Sequence, residues 1–140
     1  MSAEPSTAGP FTATGEFEVR IEPPIAVNVP SAASPLGRRT LEKNYHGALS
    51  GRASGEMLTS GDMQTGEATY IALESFIGTL DGREGGFTLR HFGQMHAGQQ
   101  ALSISITPGS GSGLLVGIEG ELLIRCEGGK HYYTLNYRLG

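Results

Sequence analysis

The sequence has one cysteine, no cluster of lysine or arginine, and no long apolar run, and each shortage closes off a class of function. Cys126 has no second cysteine to pair with, so no internal disulfide can form, and its place near the end of an apolar strand reads as a packed, inert thiol. The 10 Lys and Arg against 14 Asp and Glu give a formal charge of −4 and a pI near 5.5. Counterion release from nucleic acid needs a basic face, so no nucleic-acid partner is expected. No apolar stretch approaches the ~18 residues of a membrane-spanning helix. Met1 to Pro10 lacks the basic and apolar regions of a signal peptide, so the expectation is a cytoplasmic protein without a membrane partner. The four histidines, His46, His91, His96 and His131, show no His-X-His spacing, and His91 and His96 differ in parity along a strand. No metal site is expected. The run Gly109-Ser-Gly-Ser-Gly113 lacks the lysine and following helix of a phosphate loop and reads as a hairpin loop. No cofactor is expected.

What the chain does have is glycine and alternation. Its 22 glycines against 7 prolines suit tight turns between short strands. After a Ser/Ala/Pro/Gly tail over residues 1–10, expected to be mobile, Phe11, Ala13, Gly15, Phe17, Val19 and Ile21 alternate with polar neighbours. That period of two describes a half-buried strand, ended by Pro23-Pro24. The proline-containing stretch 23–36 is either a lid or a connecting loop. Further strands are expected over Gly37–His46, Ser50–Thr59, Gly66–Leu80, Gly86–Met95, Gln100–Thr107, Leu114–Arg125 and Lys130–Leu139, with no sustained helical period anywhere. The strand through Ile71, Leu73 and Ile77 is apolar on both faces and implies a filled interior and an exterior covered either by a loop or by another copy in a homo-oligomer. A weak repeat relates Gly47–Gly55 to Gly78–Gly86 and suggests one turn type used twice. These features predict a single all-β domain over residues 11–140 with the strand pattern of a sandwich or barrel, read as an eight-stranded closed antiparallel barrel.

Two ionisable residues fall on apolar faces. Glu74 shares parity with Tyr70, Ala72 and Phe76, and His91 with Phe87, Leu89 and Met95. A tight hairpin over Asp81–Glu84 with Leu80 opposite Gly85 would pair Phe76 with Leu89 and Glu74 with His91. A carboxylate beside an imidazole sets its tautomer and serves acid–base chemistry; the same pair can equally be a buried structural contact that fixes strand register. Tyr133 and Tyr137 share a face with Leu135 and either line a cavity or pack as ordinary core. Arg38, Arg39 and Arg90 are either carboxylate binders or solvated strand residues.

Beyond these local readings, Ala13–Val19, Leu41–Gly51, Tyr70–Arg83 continuing through Gly86–His91, Pro108–Gly120 and Tyr133–Tyr137 resemble the DUF3224 family, small bacterial domains. The segment 23–36 departs from the family pattern in lacking an acidic, glycine-containing loop. The resemblance implies a barrel similar to the allene oxide cyclase type, which holds a flexible substrate in an apolar cavity. The resulting expectation is a cofactor-independent cyclase or isomerase acting on a small hydrophobic molecule. Glu74 and His91 are its candidate catalytic residues, and Tyr70, Phe76, Leu89, Tyr133 and Tyr137 its candidate substrate contacts. The alternative is a non-catalytic ligand-binding or oligomeric structural module.

Overall fold

A computed structural model describes residues 8–140. Eight long antiparallel strands close into a barrel, as the alternation implied: β1 (Ala8–Ile21), β3 (Leu36–Gly47), β4 (Leu49–Asp62), β5 (Glu67–Leu80), β6 (Arg83–His96), β7 (Gln99–Ile106), β9 (Glu119–Glu127) and β10 (Lys130–Leu139). Two short pieces, β2 (Ile25–Ala26) and β8 (Ser112–Gly113), pair with β3 and β6. The ring runs β1-β10-β9-β7-β6-β5-β4-β3 and shuts where β1 leaves β10 and pairs with β3, from Gly15↔Gly47 to Ile21↔Leu41. Closure removes the free edges that an open sheet would expose.

Much of the expected tail, residues 1–7, lies outside the described residues, while Ala8–Pro10 already belong to β1. The stretch 23–36 is a loop with β2 inside it, pairing Ile25↔Arg38 and Ala26↔Gly37.

Three expectations need correction. Leu114–Ile118 is not strand: Gly113 and Gly117 take positive φ (61° and 84°) and break the extended run. The loop from Thr107 to Ile118 instead folds over one end of the barrel. There it buries Leu115 and Ile118 completely and leaves Leu114 and Val116 outside. Where β7 stops, Ser110 and Ser112 in this loop accept from the Thr88 and Gly86 amides of β6, so the glycine-serine run finishes the sheet. Secondly, the β5–β6 connection is a two-residue turn, Asp81-Gly82, both with positive φ (49° and 83°). Leu80 therefore pairs with Arg83, not Gly85, and every partner shifts by two: Phe76 meets Phe87, Glu74 meets Leu89, and Ala72 meets His91. Two-residue turns of this kind match the twist of the flanking strands better than longer ones. Thirdly, the repeat does not mark equivalent turns. Gly51 lies within β4 directly opposite Gly78 of β5, both near the upper limit of left-handed φ (152° and 159°). A Cβ at Gly51 would approach Ile77 O at 2.3 Å, so the glycine pair permits a sharp bend of the barrel wall.

The two ends of the barrel differ. At the end closed by the Thr107–Ile118 loop, Phe17, Tyr45, Phe76, Phe87, Leu49, Leu80, Leu122 and Leu135 form one buried cluster. Its rings touch in series: Phe17–Tyr45 centroids lie 5.5 Å apart, Tyr45–Phe76 5.8 Å and Phe76–Phe87 5.1 Å. At the other end the inward-pointing Leu102 and Ile21 remain 50% and 40% exposed. Cys126, which also points inward near that end, is exposed and not packed, because β9 runs past the core there.

Candidate functional site

Between the packed end and the open end lies a layer of polar side chains. Alternation on β5 points Ala72, Glu74 and Phe76 inward, and Glu74 is wholly buried. The same alternation on β3 turns Leu41, Lys43 and Tyr45 inward, and Lys43 is only 5% exposed. These side chains come from strands separated by β4, whose inward positions here are Gly51, Ala53 and Gly55. Small residues leave a trough across which Lys43 and Tyr45 reach Glu74.

The carboxylate receives three donors. Lys43 Nζ lies 2.9 Å from Glu74 Oε1, His91 Nε2 2.8 Å from the same oxygen, and Tyr45 OH donates to Oε2 at 2.5 Å. Lys43 Nζ also sits 4.8 Å from the Phe17 ring centroid, a cation–π contact. Burial alone would raise the Glu74 pKa, but the His91 hydrogen bond, the Lys43 charge and the Tyr45 hydroxyl outweigh it and bring it down to about 2. Burial, with the Glu74 charge next to it, pushes the Tyr45 hydroxyl well above its ordinary value. At neutral pH Glu74 is thus an ionised carboxylate and Tyr45 a protonated phenol.

Glu74 Oε1 carries no proton, so the contact with His91 requires a hydrogen on Nε2; in the neutral ring, Nδ1 is then the bare acceptor. Among the described residues Nδ1 has no hydrogen-bond partner, and the one buried, unpartnered side-chain polar atom is Thr107 Oγ1. The His91 side chain itself is only 5% exposed. Its row in the barrel wall is Arg39, Met57, Ala72, His91 and Ile104, and beyond it Leu41, Met57, Ala72 and Tyr70 form a second, smaller apolar cluster. Tyr70 lies flat over Gly93, where a Cβ would come 2.1 Å from the ring. Of the three arginines singled out from the sequence, Arg39 points inward at this mouth, with Nε donating to Glu22 O at 2.8 Å. Arg38 and Arg90 lie on the outer face.

The candidate residues thus separate. Glu74 and His91 meet diagonally across β5 and β6, not directly opposite, and Tyr70 joins them at the mouth. Phe76, Leu89, Tyr133 and Tyr137 belong to the packed cluster. The Tyr133 hydroxyl accepts from Leu49 N at 2.8 Å and lies 2.9 Å from His46 O, while Tyr137 OH donates to Asp81 at 2.5 Å, so both hydroxyls brace the closed end. Lys43 and Tyr45 escaped the sequence reading. Their signal was present: a lysine between Leu41 and Tyr45 at inward parity is a charge facing the core. The other histidines are dispersed, His46 beside Glu18, His96 beside Glu67, and His131 against Phe17.

A family model described as protein of unknown function, DUF3224, matches residues 13–137. The chain belongs to the DUF3224 family. It is similar to a crystal structure of a DUF3224 protein of unknown function from Shewanella oneidensis MR-1, at 38% identity and a TM-score of 0.85. That match covers 93% of this chain and 97% of the other. No curated protein matches. The polar layer and the mouth both fall within the matched residues.

Proposed function

We propose that this DUF3224 protein binds a small hydrophobic molecule at the open end of its barrel and isomerises or cyclises it without a cofactor. The observation that carries this reading is His91: a buried, ionised carboxylate orients its ring, its other nitrogen has no partner among the described residues, and its strand neighbour Ala72 belongs to the apolar cluster of Leu41, Met57 and Tyr70. Nδ1 would take a proton from the bound molecule, and the resulting imidazolium would rest against Glu74. Return of that proton to a second position completes an isomerisation with no change of oxidation state. Glu74, held near pKa 2, stays ionised throughout and acts as a positioning residue. Confinement by Leu41, Met57 and Tyr70 would hold a flexible molecule in one reactive shape, the working principle that the sequence resemblance to allene oxide cyclase-type barrels implies. Arg39 supplies a positive charge at the rim for an anionic head group.

A second reading, ligand binding without chemistry, is favoured by the filled closed end and by the three donors that already satisfy Glu74. One experiment separates the two. Purified protein is incubated in D2O with a panel of small apolar carbonyl compounds, and deuterium incorporation and isomer formation are followed by NMR and mass spectrometry. The isomerase reading expects exchange that His91→Ala abolishes and Glu74→Gln reduces. Binding without exchange supports the second reading, and exchange that survives His91→Ala contradicts the first.

A further inference from the structure

The outer face of β4 to β7 carries the exposed apolar residues whose alternation implied a covered exterior. Alternation turns Leu58, Ile71, Leu73 and Phe92 away from the core, where they are 45–59% exposed and line a groove of about 690 Å³. Contiguous apolar surface of this kind marks an interaction site on a soluble protein.

Register shows what would cover it. One row across the sheet reads Leu58–Ile71–Phe92, and the next reads Glu56–Leu73–Arg90. In the second row an acid and a base stand one strand to either side of Leu73. A two-fold axis lying in the contact plane and parallel to β5 exchanges β4 with β6 between copies. It therefore sets Glu56 of one copy over Arg90 of the other, twice, while Leu58 meets Phe92 and Ile71 and Leu73 each meet their own counterparts. The same operation sets Arg38 over Ser103 and Thr40 over Ser105, so no like charges collide. Glu56 makes only a long contact with Arg38 at 3.5 Å, and Arg90 makes no ion pair among the described residues. Both side chains are exposed and can reach across the contact. Self-complementarity about one axis is the property an isologous interface requires.

We infer that this face is the contact between two copies of the chain, related by a two-fold axis along β5, with reciprocal Glu56–Arg90 pairs flanking an apolar centre at Ile71 and Leu73. The inference does not depend on the proposed chemistry, because Glu56, Leu58, Ile71, Leu73, Arg90 and Phe92 point away from the barrel interior.

The test is analytical ultracentrifugation of the full chain over a concentration series, with circular dichroism confirming that each variant is folded. Wild type should form a reversible dimer, and Leu73→Arg should abolish it. Glu56→Arg and Arg90→Glu alone should each weaken association by on the order of tenfold or more, since each places like charges face to face. The double exchange E56R/R90E should restore it. A wild type that stays monomeric at all concentrations would overturn the inference and leave the face to another partner. So would a dimer indifferent to Leu73→Arg, or one that the double exchange fails to rescue.

Discussion

The two ends of this barrel are built from the same alternating strands yet do different things with inward-pointing side chains. At the closed end Leu80 and Leu49 are completely buried under the Thr107–Ile118 loop, and tyrosine hydroxyls are consumed by backbone groups and Asp81. At the open end Leu102 and Ile21 point the same way and remain half-exposed, and His91 keeps a free nitrogen. Alternation specifies direction, and coverage decides whether direction becomes core or site. Glu74 marks the boundary, with aromatic packing on one side of it and the mouth on the other.

The contrast can be broken first where it is strongest. Phe76→Ala at the packed end should cost about 4 kcal/mol, the scale of a large aromatic removed from a close-packed core, read as a lowered denaturant midpoint at unchanged slope. At the boundary, Glu74→Gln strands the buried Lys43 charge and should cost about 3 kcal/mol. The double variant K43M/E74L removes both charges and should recover most of that loss. A double variant as unstable as the single one would show that packing, not the stranded charge, governs this layer.

Acid sharpens the same boundary. The folded-state pKa of Glu74 lies below its ordinary 4.5, so the native state binds this proton less readily than the unfolded chain. The stability it contributes is full above about pH 4.5 and is lost as pH falls to about 2, amounting to roughly 3 kcal/mol. Urea titrations across that window should show the loss in wild type and a flatter profile in K43M/E74L. The smallest effect belongs to the mouth: Leu102→Ala should change stability by less than about 0.5 kcal/mol, while weakening retention of an apolar probe followed by fluorescence.

How much of this was legible beforehand follows from which residues act locally. Strands β1 and β10 carry clean alternation, and β10 begins and ends where its pattern does, at Lys130 and Leu139. That Glu74 and His91 would share the interior also followed from parity alone. Their register did not, because a four-residue Asp81–Glu84 loop and a two-residue Asp81-Gly82 turn fit the same composition and differ by two positions. Leu114–Ile118 has the apolar content of a strand, and only the positive φ at its glycines reveals a plug. Lys43 and Tyr45 contact Glu74 across an intervening strand, which requires the ring to be closed and β4 to present Gly51, Ala53 and Gly55. No single segment contains that information, and the inward parity of Lys43 marks only a charge facing the core, not its partner.

The central claim is that Glu74 fixes the His91 ring with its proton on Nε2 and its other nitrogen bare. Long-range proton–nitrogen correlation NMR of histidine-labelled protein, recorded over a pH series, reads this directly. The account predicts a protonated Nε2 and an unprotonated Nδ1 for His91, with Nδ1 shifting when an apolar carbonyl probe binds. A proton on Nδ1 instead, or a tautomer mixture like that of a free imidazole, would contradict it.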